Sequence, residues 1–174
     1  MMMRVLQAGG LPLLTDGERQ ADDDNPRGYF EYERVKKLDK GDTAWLSQAE
    51  GKGVKVISAL LKHLPANYRY RVLFMERNLA EVMASQRKML IRRGKEPDEI
   101  PDEEMADLLA QHVAQVKAWL ARQPHFQLLE VSYNAMLADP RPWVQEVNRF
   151  LGGFLDEKAM VAAVDPSLYR NRKP

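Results

Sequence analysis

The sequence predicts an α/β fold in which a parallel sheet is flanked by helices on both faces. Three observations carry that prediction. Val54-Lys55-Val56-Ile57-Ser58, Tyr70 to Met75 and Phe126 to Ser132 are apolar, β-branched runs of strand length. Segments with helical spacing separate such runs, and no hairpin turn joins them.

Taken in order, Met1 to Gln7 reads as a short helix stopped by Gly9 and Gly10. Leu11 to Gly28, with Asp16, Gly17, Asp22 to Asp24 and Asn25-Pro26, has the polarity and turn chemistry of a surface loop, and long loops of this kind often carry function. Tyr29 to Leu38 fits a short amphipathic helix, with Trp45 and Leu46 packing after it. Val54 to Ser58, between Gly51, Gly53 and the next turn, is expected to be a buried strand, and Tyr70 to Met75 a second. Leu79, Val82, Met83, Gln86 and Leu90 repeat at helical spacing, ending at Arg92, Arg93 and Gly94. Pro101 to Ala121 is the strongest helix: Asp102, Glu103 and Glu104 suit the first turn, and Met105, Leu108, Leu109, Val113, Val116, Trp119 and Leu120 line one face. Phe126 to Ser132 is the third strand, followed by helices at Pro142 to Leu151 and Asp156 to Val164 and a basic tail.

Composition bounds the function. At 174 residues, 45% apolar and 29% charged, the chain fits one globular domain with a real core. Lys plus Arg number 26 against 25 Asp plus Glu, a net charge of +1, so no bulk field argues for nucleic acid or an anionic membrane. Any anion site must be local. The absence of Cys excludes disulfides, a thiol nucleophile and thiolate metal sites, and makes a reducing compartment the simplest setting. No apolar run approaches the roughly 18 to 20 residues of a membrane span, and the N-terminal segment lacks signal-peptide features, so a cytoplasmic protein is expected.

The most informative segment is Phe74-Met75-Glu76-Arg77-Asn78-Leu79-Ala80-Glu81-Val82-Met83-Ala84-Ser85-Gln86. Arg77 falls where a parallel strand emits its chain at the carboxyl edge, the ligand-binding edge of open α/β sheets. Ser85 follows eight positions later on the next helix. A guanidinium fork and a hydroxyl converging there suit a phosphate. A surface ion pair for Arg77 and a backbone-bonded hydroxyl for Ser85 are the ordinary alternatives.

Arg77-Asn78 after an apolar strand, Ser85 beyond it, and later Leu129-Glu130-Val131-Ser132-Tyr133-Asn134-Ala135-Met136-Leu137-Ala138-Asp139-Pro140 resemble the sulfotransferase family, specifically its bacterial branch. Asn25-Pro26-Arg27-Gly28-Tyr29-Phe30-Glu31 and the ending Asp165-Pro166-Ser167-Leu168-Tyr169-Arg170-Asn171-Arg172 are similar to segments that recur there, in the same order. The resemblance implies a three-layer, P-loop-like fold that transfers a sulfuryl group from 3′-phosphoadenosine 5′-phosphosulfate to a hydroxyl or amine. It further implies that Arg77 and Ser85 hold the donor's 3′-phosphate, that Arg170 and Arg172 complete that site, and that Lys55 lies near the phosphosulfate. No metal is required. The acceptor is expected to be a small molecule, peptide or glycan, with its pocket formed by the Leu11 to Gly28 loop and the Ile91 to Pro101 connection.

The departures from the family are as informative. Its members begin with a strand and a loop of the type Pro-Arg/Lys-Ser-Gly-Thr-Ser/Thr, whose amides cradle the 5′-phosphosulfate. Met1 to Gln7 resembles the helix that follows this loop, so the sequence is expected to start roughly 15 to 25 residues late for a complete βα unit, with weak donor binding and little turnover. The histidine that some relatives carry just past the matched lysine is missing, since Val56 and Ile57 follow Lys55. Glu18 is the expected general base, with Glu31 and Asp16 as substitutes.

Asp22-Asp23-Asp24-Asn25 lacks the glycine and distant Glu of a calcium loop, His63 and His125 have no spaced partners, and His112 belongs to the stripe of the long helix. A noncatalytic helical interaction module, and a small-molecule kinase relative lacking its Walker-type lysine, remain the competing functional readings.

Overall fold

A computed structural model describes residues 1–22, 25, 28–83, 87, 94 and 101–165, the side chain of residue 102 excepted. Two strands, β1 (Tyr70–Glu76) and β2 (Phe126–Ser132), pair in parallel with Tyr70 opposite Phe126 and Glu76 opposite Ser132. The period-2 alternation of side chains splits them between two cores. Tyr70, Val72, Phe74, Phe126 and Leu128 face one, while Leu73, Met75, Leu129 and Val131 face the other.

The second of these faces is covered by α1 (Met2–Ala8), which brings Met2, Val5 and Leu6, and by three helices that follow β2. The first face is covered by the long helix α3 (Asp102–Leu120), a 3₁₀ helix at Glu33–Lys40, the short α2 (Leu46–Ala49) and a second 3₁₀ helix at Ser58–His63. Helices on both faces of a parallel sheet are the α/β architecture that the sequence predicts.

The helices after β2 start at side-chain caps. Ser132 Oγ accepts from Ala135 N at 3.3 Å to open α4 (Tyr133–Ala138), a helix that the sequence reading did not anticipate. Asp139 and Asp156 accept from Arg141 N and Ala159 N to open α5 (Pro140–Leu151) and α6 (Glu157–Ala163). Gly9 ends α1 in right-handed helical geometry, so its lack of a side chain serves packing: a Cβ would lie 2.6 Å from Met160 Cγ. The left-handed turn falls instead on Gly10, with φ of 92°.

Three expectations need correction. Val54 to Ser58 is not a strand. Gly53 forms an isolated parallel bridge with Leu13, but Val54, Lys55 and Val56 make no backbone hydrogen bond to another described residue. β-branched residues favour extended backbone, yet a strand exists only as a ladder, and this segment has no partner alongside it. The expected helix at Tyr29 to Leu38 is instead a 3₁₀ helix beginning at Glu33, because Phe30 takes a left-handed φ of 52° and Val35 and Leu38, three apart, both fall on the buried side of a three-residue turn. Leu108, placed on the apolar face of the long helix, is 48% exposed, since the stripe that meets the core runs through Val113, Val116, Trp119 and Leu120. The expected helix from Leu79 is seen over 79–83 and at Arg87, Gly94 takes the left-handed φ of 63° expected of its stop, and 84–86, 88–93 and 95–100 lie outside the described residues.

Candidate active site

A cleft of about 1880 Å³ opens between the elements just described. Its walls include the whole of β1, the unpaired segment at Val54 to Val56, the start of α1 and the middle of α3. Because β2 pairs with β1 from one side only, no described strand covers the other edge of β1, which lies along this space.

Arg77 stands on the wall directly after β1, before the helical turn opened by Asn78, whose Oδ1 accepts from Ala80 N at 3.0 Å. Its guanidinium carbon lies 4.7 Å from the Tyr133 ring centroid, and its Nε lies 3.8 Å from Glu81 Oε2. Nε is buried and makes no hydrogen bond, whereas the side chain as a whole is 30% exposed. This is the placement that the strand-end argument anticipates.

Lys55 lies on the wall of the same cleft. Its Nζ donates to Glu31 Oε1 at 3.0 Å and to the Tyr29 carbonyl at 3.3 Å. The α-amino group of Met1, on the same wall, is held below its ordinary pKa by burial first and then by the positive charges of Arg4, Lys55 and Arg77.

The Leu11 to Gly28 loop and its continuation supply the outer wall. Glu31 receives Lys55, Arg19 at 3.2 Å and Lys36 at 3.6 Å. Burial pushes its carboxyl up, but the hydrogen bonds and charges of Lys55 and Arg19 prevail and hold it below the usual carboxylate range. Arg19 lies over the Tyr29 ring at 3.3 Å, and the Tyr29 hydroxyl donates to Asp22 at 2.7 Å. Asp16 accepts from the backbone N–H of Glu18 and Glu33, which outweigh slight burial and lower its pKa. Glu18 itself is exposed and is not part of the cleft wall, although the adjacent Arg19 is.

The structure therefore brings Arg77 and Lys55 to one cleft and leaves Glu18 on the outside of the loop that borders it. Ser85, Arg170 and Arg172 lie outside the described residues, as do Asp23 and Asp24 of the acidic run. Among the described residues no group of three His, Asp or Glu side chains is arranged to hold a metal. Glu81 and Asn134 were missed by sequence reasoning. The available signal was the spacing of four between Arg77 and Glu81, which puts them on one side of a helical turn.

A family model described as a sulfotransferase domain matches residues 54–173, more than half of the chain. The chain belongs to the sulfotransferase family. Comparison with curated proteins and with solved structures gave no match. As a sulfotransferase, the protein is an enzyme of sulfuryl transfer, and its matched region contains Lys55, β1, Arg77, β2 and the helices that follow. No described helix of this sulfotransferase is long and apolar enough to cross a membrane.

Proposed function

We propose that the protein is a single-domain, cytoplasmic enzyme that moves a sulfuryl group from 3′-phosphoadenosine 5′-phosphosulfate to a hydroxyl or amine of a small-molecule, peptide or glycan acceptor. The observation that carries this reading is that Arg77, directly after the carboxyl end of β1, and Lys55 line one cleft. Arg77, with Ser85, would bind the 3′-phosphate as a charge-assisted fork, and Arg170 and Arg172 would close over it. Lys55 would neutralise charge on the phosphosulfate. In the transfer the sulfur–oxygen bond to the donor phosphate breaks, a bond from sulfur to the acceptor forms, and the acceptor proton passes to a base.

Of the three candidate bases, Glu31 is committed to cations and Asp16 to backbone N–H groups, which leaves Glu18, and because it stands outside the cleft wall the bordering loop would have to carry it inward to meet the acceptor. Turnover would be slow, because Lys55 is tied to Glu31 and has to be released as the donor binds.

Calorimetric titration with adenosine 3′,5′-bisphosphate tests the reading. Arg77→Ala and Ser85→Ala should each weaken binding by about 1.5 to 3 kcal/mol, the size of a charge-assisted contact. Binding that is indifferent to both substitutions would refute it.

A further inference from the structure

Glu81 is 4% exposed and, with Asn148, is one of two buried polar or charged side chains among the described residues. A carboxylate taken out of water is tolerated only where close partners offset its lost hydration. Asn134 supplies one partner from α4, its Nδ2 lying 3.2 Å from both Oε1 and Oε2. Another is Arg77, whose buried Nε faces Oε2 at 3.8 Å.

The arrangement constrains Arg77 on three sides. The end of β1 fixes its backbone, Tyr133 lies against the face of the guanidinium, and the Glu81 charge stands behind Nε. We propose that Glu81 is a positioning residue that aims Arg77 at an anion, and that Asn134 holds Glu81 in place. Glu81 acts through Arg77 rather than on the ligand, and the inference rests on the reading of Arg77 as a donor-phosphate ligand.

A nearby carboxylate also subtracts positive charge from the site, so two effects compete. Neutralisation would make Glu81 harmful to anion binding. Pre-organisation would make it helpful, because an arginine held in its bound rotamer loses less entropy on binding. The burial of Glu81 and its doubled contact with Asn134 favour pre-organisation: a carboxylate merely screening an exposed arginine would sit in water, where solvation stabilises it without a built partner.

The test is a double-mutant cycle read by calorimetric titration with adenosine 3′,5′-bisphosphate at fixed ionic strength, using wild type, Glu81→Gln, Arg77→Ala and the double variant. Glu81→Gln is expected to weaken binding about fivefold in the wild-type background, the order expected for one immobilised side chain, and to change nothing once Arg77 is gone. An equal loss in both backgrounds would mean that Glu81 only supports the fold and would overturn the proposal, as would unchanged or tighter binding by Glu81→Gln. If Glu81→Gln fails to fold by circular dichroism, Asn134→Ala replaces it in the same cycle with the same criterion. The Arg77→Ala arm separates the two levels: binding insensitive to Arg77, or a wild-type chain that binds nothing, removes the phosphate-site reading and the proposal with it.

Discussion

Lys55 Nζ donates to Glu31 Oε1 at 3.0 Å, so the lysine on the cleft wall is paired with a carboxylate carried by the bordering loop. A donor phosphosulfate must compete with that carboxylate for the same ammonium. Glu31→Gln removes the competitor while keeping the side-chain shape, and is expected to tighten adenosine 3′-phosphate 5′-phosphosulfate binding about three- to fivefold, the order of a partly exposed ion pair. Titration of wild type and variant checks this. Weaker binding by the variant would mean that Glu31 holds Lys55 in the productive position instead.

The same carboxylate makes stability depend on pH. Glu31 lies below its ordinary value of 4.5, because Lys55 and Arg19 outweigh the upward push of burial. A carboxyl with a lowered folded-state pKa stabilises the fold fully above 4.5, and loses that contribution as pH falls through the folded-state value. Wild type should therefore melt higher than Glu31→Gln at pH 7, by about 2 to 4 °C for a contribution near 1 kcal/mol, and the gap should narrow as pH falls below 4.5. A gap that persists or widens in acid would contradict the ion-pair account.

Glu31 also marks a limit of what could be read from the chain. The two paired strands were legible because their alternation places Val72 and Phe74 on one face and Leu73 and Met75 on the other, a pattern local to each segment. Arg77 was legible because it sits where such a strand ends. Val54 to Ser58 was misread because β-branching states a backbone preference, whereas a strand also needs a neighbour, and neighbours are not local information. The 3₁₀ helix at Glu33–Lys40 was read as α because Val35 and Leu38, three apart, satisfy both periods. Lys55 and Glu31 are 24 positions apart, and Glu81 and Asn134 are 53 apart, so neither pairing could be seen before the fold was known.

The identity of the base rests on a contrast between two loop carboxylates. Glu18 is exposed, outside the cleft wall, and free of the contacts that hold Glu31 and Asp16, so it can move to the acceptor without breaking an ion pair. A general base contributes about 10²- to 10⁴-fold to the chemical step and little to donor affinity. Glu18→Gln is therefore expected to lower kcat by at least about a hundredfold while the KM for the donor stays within about twofold. Steady-state kinetics across donor concentrations measures both. If Glu18→Gln keeps its kcat and Glu31→Gln loses it, the proton goes to Glu31, and the carboxylate paired with Lys55 has to release that lysine as the donor binds.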